Sequence, residues 1–271
     1  MVIIALTTVF TLYVAAATML YFTQTSIIFP RRATGPISPR PPEAPTRVLW
    51  IQTDSGERVE AWFIPGAGRA PDSPGPAVIL AHGNATLIDH ASDTVALYVA
   101  RGVSVMLPEY RGYGRSEGLP SERGIVSDFV AAYDLLREQP EVQGDVIFGH
   151  GRSLGGGVIA QLAARRSLVA LVIESSFTSV AAMARKSFMP GFICRHPFRT
   201  DSVLREYAGP VLLMHGTEDR IIPIDHSRTL ARLAANATLI EMPCGHNDLY
   251  IQPEFAAHVS DFVDGVLAGA S

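Results

Sequence analysis

Five short runs are apolar at nearly every position: "AVILAHG" at 77–83, "SVMLPEY" at 104–110, "DVIFGHG" at 145–151, "LVALVIES" at 168–175 and "PVLLMHG" at 210–216. Runs of this length without alternation suit strands buried on both faces. "ATLIEMP" at 237–243 is a further strand candidate. "TRVLWIQTDSGERVEAWFIP" at 46–65 reads as two strands around an Asp54-Ser55-Gly56 turn. Helical stretches lie between most of the runs. In the clearest, Val126, Phe129, Val130, Tyr133 and Leu136 draw one helical stripe. Strands alternating with helices predict an α/β fold with a mostly parallel sheet and an antiparallel hairpin at its start. In such sheets ligands bind at the carboxyl ends of the strands.

The first thirty residues follow another pattern. No charged side chain precedes Arg31, and "MVIIALTTVFTLYVAAATMLYF" is long enough to cross a bilayer. The competing reading is a cleaved signal peptide, with "AAA" at 15–17 as its cleavage site, but the positive n-region is missing. An uncleaved, single-pass anchor over 1–28 is therefore expected. Arg31, Arg32, Arg40 and Arg47 all follow the segment, which favours a cytoplasmic domain over an exported one. Six prolines in "FPRRATGPISPRPPEAPT" predict an extended, semi-rigid linker over 29–45. The remainder, 46–271, suits one large domain.

Composition narrows the classes. The net charge of -4 leaves no basic footprint for nucleic acid. The two cysteines, Cys194 and Cys244, have no zinc-like spacing, and pairing them would require an exported domain.

Candidate chemistry centres on Ser153. Gly151-Arg152-Ser153-Leu154-Gly155 fits G-x-S-x-G and follows the "DVIFGHG" strand. At a strand-to-helix turn this pattern lifts the serine Oγ above the sheet edge in a strained conformation. Alone it is a weak signal, because a glycine-rich turn after a buried strand looks the same. A serine needs a base, and the base needs an orienting carboxylate. Of eight histidines, His246 in "MPCGHNDL" follows the last strand candidate and meets the positional demand. His82 and His215 end strands inside H-G pairs and read as packed turn residues, and His150 as facing a neighbouring layer. His90, His196, His226 and His258 carry no motif. After "PVLLMHG", the acids are Glu218 and Asp219; Asp219 is preferred because it begins the "DRIIP" loop, with Glu218 and Glu174 in reserve. Ser153, Asp219 and His246 give the order nucleophile, acid, base that recurs in such triads. The oxyanion donors expected are the backbone N–H groups of Leu154 and Asn84.

"HGN" at 82–84, "YRGYGRSEG" at 110–118, "GRSLGG" at 151–156, "ESSFTS" at 174–179, "HGTED" at 215–219 and "GHNDL" at 245–249 together resemble the α/β-hydrolase superfamily. More narrowly the sequence is similar to its membrane-anchored subgroup related to protein depalmitoylases and lysophospholipases, over about residues 46 to 268, with the anchor and "TSIIFP" extending the match. The resemblance implies an eight-stranded sheet with helices on both faces, and a serine hydrolase with the triad Ser153, Asp219 and His246. It also implies a short cap, about 178–208, in which Met183, Phe188, Met189 and Phe192 either line an acyl pocket or pack the cap onto the domain. "YRGYGRSEG" lacks the phosphate-loop arrangement and reads as a tight structural loop. The expected substrate is a small acyl ester, a lipid or an acylated protein, met at the membrane, with no metal or organic cofactor. A serine peptidase is the nearest rival, although peptidases of this fold usually carry a large extra domain. A non-catalytic, membrane-tethered interaction protein is the rival of another class, but such proteins normally lose a triad member.

Overall fold

In the computed structural model, residues 2–38, 46–186 and 190–269 are described. The apolar opening forms helix α1, Val2–Ile28. Next come strands β1 (Arg47–Gln52), β2 (Arg58–Ile64) and β3 (Gly75–Ala81), helix α2 (Ser92–Val99) and strand β4 (Ser104–Pro108). Helix α3 (Glu122–Arg137), strand β5 (Val142–Arg152), helix α4 (Leu154–Ala163) and strand β6 (Leu171–Glu174) follow. Between β6 and β7, where a short cap is expected, lie α5 (Val180–Lys186), a 3-10 turn at Gly191–Ile193 and α6 (Thr200–Glu206). Strand β7 (Val211–Gly216), helix α7 (Asp225–Leu233), strand β8 (Ala237–Met242) and helix α8 (Phe255–Gly269) complete the chain.

The eight strands make one sheet, ordered β1-β2-β4-β3-β5-β6-β7-β8. The hairpin β1–β2 and the β2–β4 pair are antiparallel, and the remaining pairs are parallel. The hairpin turn closes with Gly56 N–H donating to Thr53 O at 3.0 Å, and Gly56 takes φ +94°, a conformation open to glycine.

Alternation along the central strands builds two apolar layers. Ala77, Ile79, Ile147, Ile173 and Leu213 face one side, where α3, α4, α6 and α7 pack. Val78, Leu80, Phe148, Val172 and Leu212 face the other, under α2 and α8. The predicted stripe on α3 lies inward: Val126, Phe129, Tyr133 and Leu136 are buried, and Val130 packs at their edge. Ser121 starts that helix by accepting the Gly124 N–H at 3.1 Å.

The described part of the proline-rich stretch does not stand away from the domain. Phe29 is buried against the rings of His196 and Phe198. Ser38 N–H donates to Asp89 at 2.8 Å, and Arg115 reaches both Asp89 and the Ser38 carbonyl. Full burial of a phenylalanine contributes about 1.5–3 kcal/mol, enough to hold a short segment down. Residues 39–45 of the expected linker lie outside the described residues.

Most of α1 is exposed, and the helix is long and apolar enough to cross a membrane. Its last two turns are different. Gln24 is buried, donates to Ile193 O at 3.0 Å and accepts the Arg195 N–H at 2.7 Å. Thr25 bonds His196 Nε2 at 3.0 Å. His196 Nδ1 accepts the Glu122 N–H, so a neutral ring places its proton on Nε2, facing Thr25. Burial, helped by Arg195, lowers the pKa of this histidine below its ordinary value, consistent with that neutral tautomer.

Candidate active site

The turn between β5 and α4 consists of one residue, Ser153, with φ 53° and ψ -115°. A non-glycine residue held there costs on the order of 1–3 kcal/mol and persists only where its surroundings enforce it. The enforcement is visible. Ser153 N–H donates to Glu174 O at 2.8 Å, and Ser176 Oγ donates to Ser153 O at 2.8 Å. The glycines allow the approach. A Cβ on Gly155 would lie 1.9 Å from Ala81 O, and one on Gly151 would lie 2.2 Å from Gly155 O. Both neighbours are backbone and cannot swing aside. Gly155→Ala is therefore expected to push the start of α4 off the end of β3 and displace the Leu154 N–H. Turnover of an activated ester should drop about 10²–10³-fold, the usual effect of losing one oxyanion donor. Unchanged turnover would mean that the α4 terminus has no part in the reaction.

Three parallel strands deliver the remaining polar groups to this edge. Asp219 follows β7 and His246 follows β8. His246 Nε2 lies 3.1 Å from Ser153 Oγ, and its Nδ1 lies 2.6 Å from Asp219 Oδ2. A carboxylate only accepts, so Nδ1 carries the proton and Nε2 offers its lone pair to the serine. Asp219 is itself tightly held. Its Oδ1 accepts the N–H groups of Ile221 and Ile222, both at 2.8 Å. His215 Nε2 sits 3.2 Å from Oδ2 and 2.8 Å from Ile222 O. Burial alone would raise this carboxyl, but hydrogen bonds from His215, His246 and Ile222 outweigh it and hold the pKa well below the usual carboxylate range.

Asn84 lies on the loop after β3, beside the serine: a Cβ on Gly83 would meet Ser153 Cβ at 3.9 Å. Two contacts hold Asn84, one at its backbone and one at its side chain. Tyr113 OH donates to Asn84 O at 2.9 Å, and the Asn84 side-chain amide donates to Ile28 O, at the end of α1, at 3.1 Å. Asn84, Leu154, Ser153 and His246 line one cavity of about 410 Å³, whose other walls include Ile28, Met183 and Ile221. That volume lies within the range of small-molecule sites.

The reserve acids are placed elsewhere. Glu174 is held by His150 Nε2, whose Nδ1 meets Tyr98 OH at 3.0 Å, and Glu218 is exposed. His82 bonds Glu109 at 2.7 Å next to the Asn84 loop, and His215 supports Asp219. His226 is buried beside Thr178. In the "YRGYGRSEG" loop Gly112, Gly114 and Gly118 have positive φ, and Tyr110 OH donates to His82 O, so the loop braces the Asn84 turn from behind. In the cap, Met183 lines the cavity, Phe192 points outward and is 89% exposed, and Phe188 and Met189 lie outside the described residues. Cys194 and Cys244 are free thiols. Among the described residues no group of three or more His, Cys, Asp or Glu side chains is placed to hold a metal ion.

Two supports have little sequence signature. Arg152 donates to Asn247 Oδ1 at 3.1 Å and to His246 O at 3.4 Å while its guanidinium lies over Tyr250, steadying the histidine loop. The end of α1 reaches the Asn84 loop through Ile28. Gln24 and Thr25, polar residues near the end of an apolar helix, were the available hint.

Comparison with known proteins agrees with this architecture. Residues 72–196 match the family described as serine aminopeptidase S33, Hydrolase_4. The α/β-hydrolase domain-containing protein WAV2 of Arabidopsis thaliana is 34% identical over 227 residues, covering 75% of this chain and 73% of that protein. The uncharacterized protein YfhR of Escherichia coli K12 is 29% identical over 220 residues, covering 79% and 78%. Among solved structures, the Pyrococcus furiosus esterase Pf2001 superposes with a TM-score of 0.68 at 18% identity, covering 86% of this chain and 94% of that one. Est1E of Butyrivibrio proteoclasticus, solved with ferulic acid bound, gives 0.64 at 20% identity, covering 82% and 98%. With the strand order, the serine turn and the WAV2 match together, the chain belongs to the α/β-hydrolase superfamily.

Proposed function

We propose that the chain is a serine hydrolase that cleaves a carboxylic ester or thioester of an acyl or lipid-like substrate through an acyl-enzyme. The observation that carries this reading is the hydrogen-bonded series Asp219–His246–Ser153 opening on a cavity with apolar walls. Ser153 Oγ attacks the carbonyl carbon as its proton passes to His246 Nε2. The oxyanion is held by the N–H groups of Leu154, at the start of α4, and Asn84. Collapse breaks the bond to the alcohol or thiol, which leaves with the proton from His246. Water then attacks the acyl-enzyme with His246 again as base, releasing the acid and restoring Ser153. Asp219 fixes the tautomer and stabilises the imidazolium. These steps draw on protein groups and water alone.

Helix α1 is long and apolar enough to cross a membrane. We read it as an uncleaved single-pass anchor, with the domain on the cytoplasmic side because the arginines follow the helix. An anchored enzyme and a fatty-acyl substrate then share one phase. A peptidase reading has one observation in its favour, the description of the matched family. Against it, the described residues of the cap offer two short helices with which to bind a polypeptide.

A fluorophosphonate probe tests the reading directly. The full-length protein in detergent should take up one adduct, on Ser153, and Ser153→Ala should take up none. A folded wild type that stays unlabelled would favour a non-catalytic, tethered interaction protein. Labelling that survives Ser153→Ala would move the nucleophile elsewhere.

A further inference from the structure

The cavity at Ser153 continues beyond the triad. Ile27, Ile28, Val180 and Met183 line it, and the same four residues line a second cavity of about 400 Å³. This second space runs along the seam between α1 and the cap, bounded by Leu20 and Gln24 on the anchor and by Ala184 and Ile193 on the cap. From Leu20 to Ile28 the helix rises about 12 Å, so the seam is a long slot and not a local dent.

Its direction follows from the anchor. Helix α1 has 27 residues. About 20, Val2 to Tyr21, cross the hydrocarbon core, which leaves the last two turns, beginning near Phe22, at the headgroup level. The polar contacts with the cap lie there too: Gln24 and Thr25 make the bonds that dock the helix. Phe192, 89% exposed, adjoins Ile193 of the seam and supplies an apolar side chain at the same level. The slot therefore has one end at the nucleophile and the other at the bilayer surface. Its walls are mainly aliphatic, and its bound polar group, Gln24, has its amide committed to Tyr21 O and Ile193 O. An occupant would need to be long, narrow and apolar, with a carbonyl at the Ser153 end.

We propose that the seam between α1 and α5 is the acyl-chain groove of this enzyme, and that the membrane anchor itself forms one wall of the substrate site. The occupant is a long-chain fatty-acyl group, drawn laterally from the bilayer along α1 until its carbonyl reaches Ser153. The inference rests on the hydrolase reading above. It assigns the anchor a second role, in selecting chain length. The bond between Ile28 O and the Asn84 amide joins the groove to the oxyanion loop.

The test uses the full-length protein in phospholipid nanodiscs, with p-nitrophenyl butyrate and p-nitrophenyl palmitate. Ala184→Trp plugs the slot from the cap side and Leu20→Trp plugs its outer mouth. In each variant the ratio of kcat/KM for palmitate over butyrate should fall at least tenfold. A ratio within threefold of wild type in both variants, with Ser153-dependent turnover intact, overturns the groove and leaves the hydrolase standing. Absence of any Ser153-dependent turnover sinks the hydrolase reading instead. The groove is then still decided by a second measurement on full-length Ser153→Ala. A palmitic acid analogue with a diazirine near its methyl end should crosslink within 180–184 of α5. Crosslinks confined to the bilayer-facing side of α1 would overturn the proposal.

Discussion

Ser153→Ala is expected to lower turnover of an activated ester by about 10⁶-fold, to the level left by binding and the oxyanion donors alone. The size of the loss comes from the linkage of the groups. Without the Ser153 hydroxyl, His246 has no proton to accept, and Asp219 orients a base with nothing to activate. The remaining catalysis would be direct attack of water on a carbonyl held by Leu154 and Asn84. The variant should fold, because the hydroxyl makes its described hydrogen bond only to His246. The elbow is held by the Ser153 backbone, through Glu174 O and Ser176 Oγ, and these bonds survive the substitution. Alanine adds no steric demand at φ 53° beyond that of serine. Steady-state kcat on p-nitrophenyl butyrate, with thermal unfolding as the check on folding, measures the effect. A loss under a hundredfold in a folded variant would remove Ser153 from the role of nucleophile.

Much of this site was legible because its chemistry is tied to backbone punctuation. Each apolar run ends in a His-Gly pair or at a glutamate where a parallel strand must stop, so the sequence itself marks the carboxyl-end loops. Strands buried on both faces write themselves as unbroken apolar runs, and all five runs became strands of the sheet. What escaped were contacts between segments far apart in sequence. Gln24 and Arg195 are separated by 171 positions, and nothing local to either announces the bond. Tyr113 was visible only as part of a glycine-rich loop, yet its hydroxyl sets the Asn84 carbonyl. His215 reads as a packed turn residue because it ends a strand inside an H-G pair, yet its ring reaches Asp219, whose carboxylate has room for both His215 and His246. The segment after the anchor read as a spacer because prolines favour extension. Extension is compatible with lying on a surface, and Phe29 finds a buried place there.

The orientation of that shared carboxylate makes Asp219→Asn the sharper test of the base. Oδ1 receives two backbone N–H groups, from Ile221 and Ile222. An asparagine must turn its oxygen toward those donors, which puts its NH₂ group where Oδ2 now faces His246. There it would donate to Nδ1 and force the imidazole proton onto Nε2, opposite the serine. His246 could then no longer accept the Ser153 proton. His215 adds to the conflict, because its Nε2–H donates to Ile222 O and lies 3.2 Å from the same position. The expected loss in kcat is about 10⁴-fold, with the site geometry nearly intact. Protonating the native aspartate would have a related effect, but it needs strong acid. The carboxyl is held well below its ordinary value, so its contribution to stability is present above about pH 4 and is lost only as the pH falls through the depressed folded value. Over the neutral range Asp219 therefore stays ionised, and the asparagine variant samples a state that wild type does not reach. If its kcat falls less than tenfold, the carboxylate is not the orienting acid. Glu174 is placed elsewhere, its carboxylate held by His150 while Asp219 faces His246.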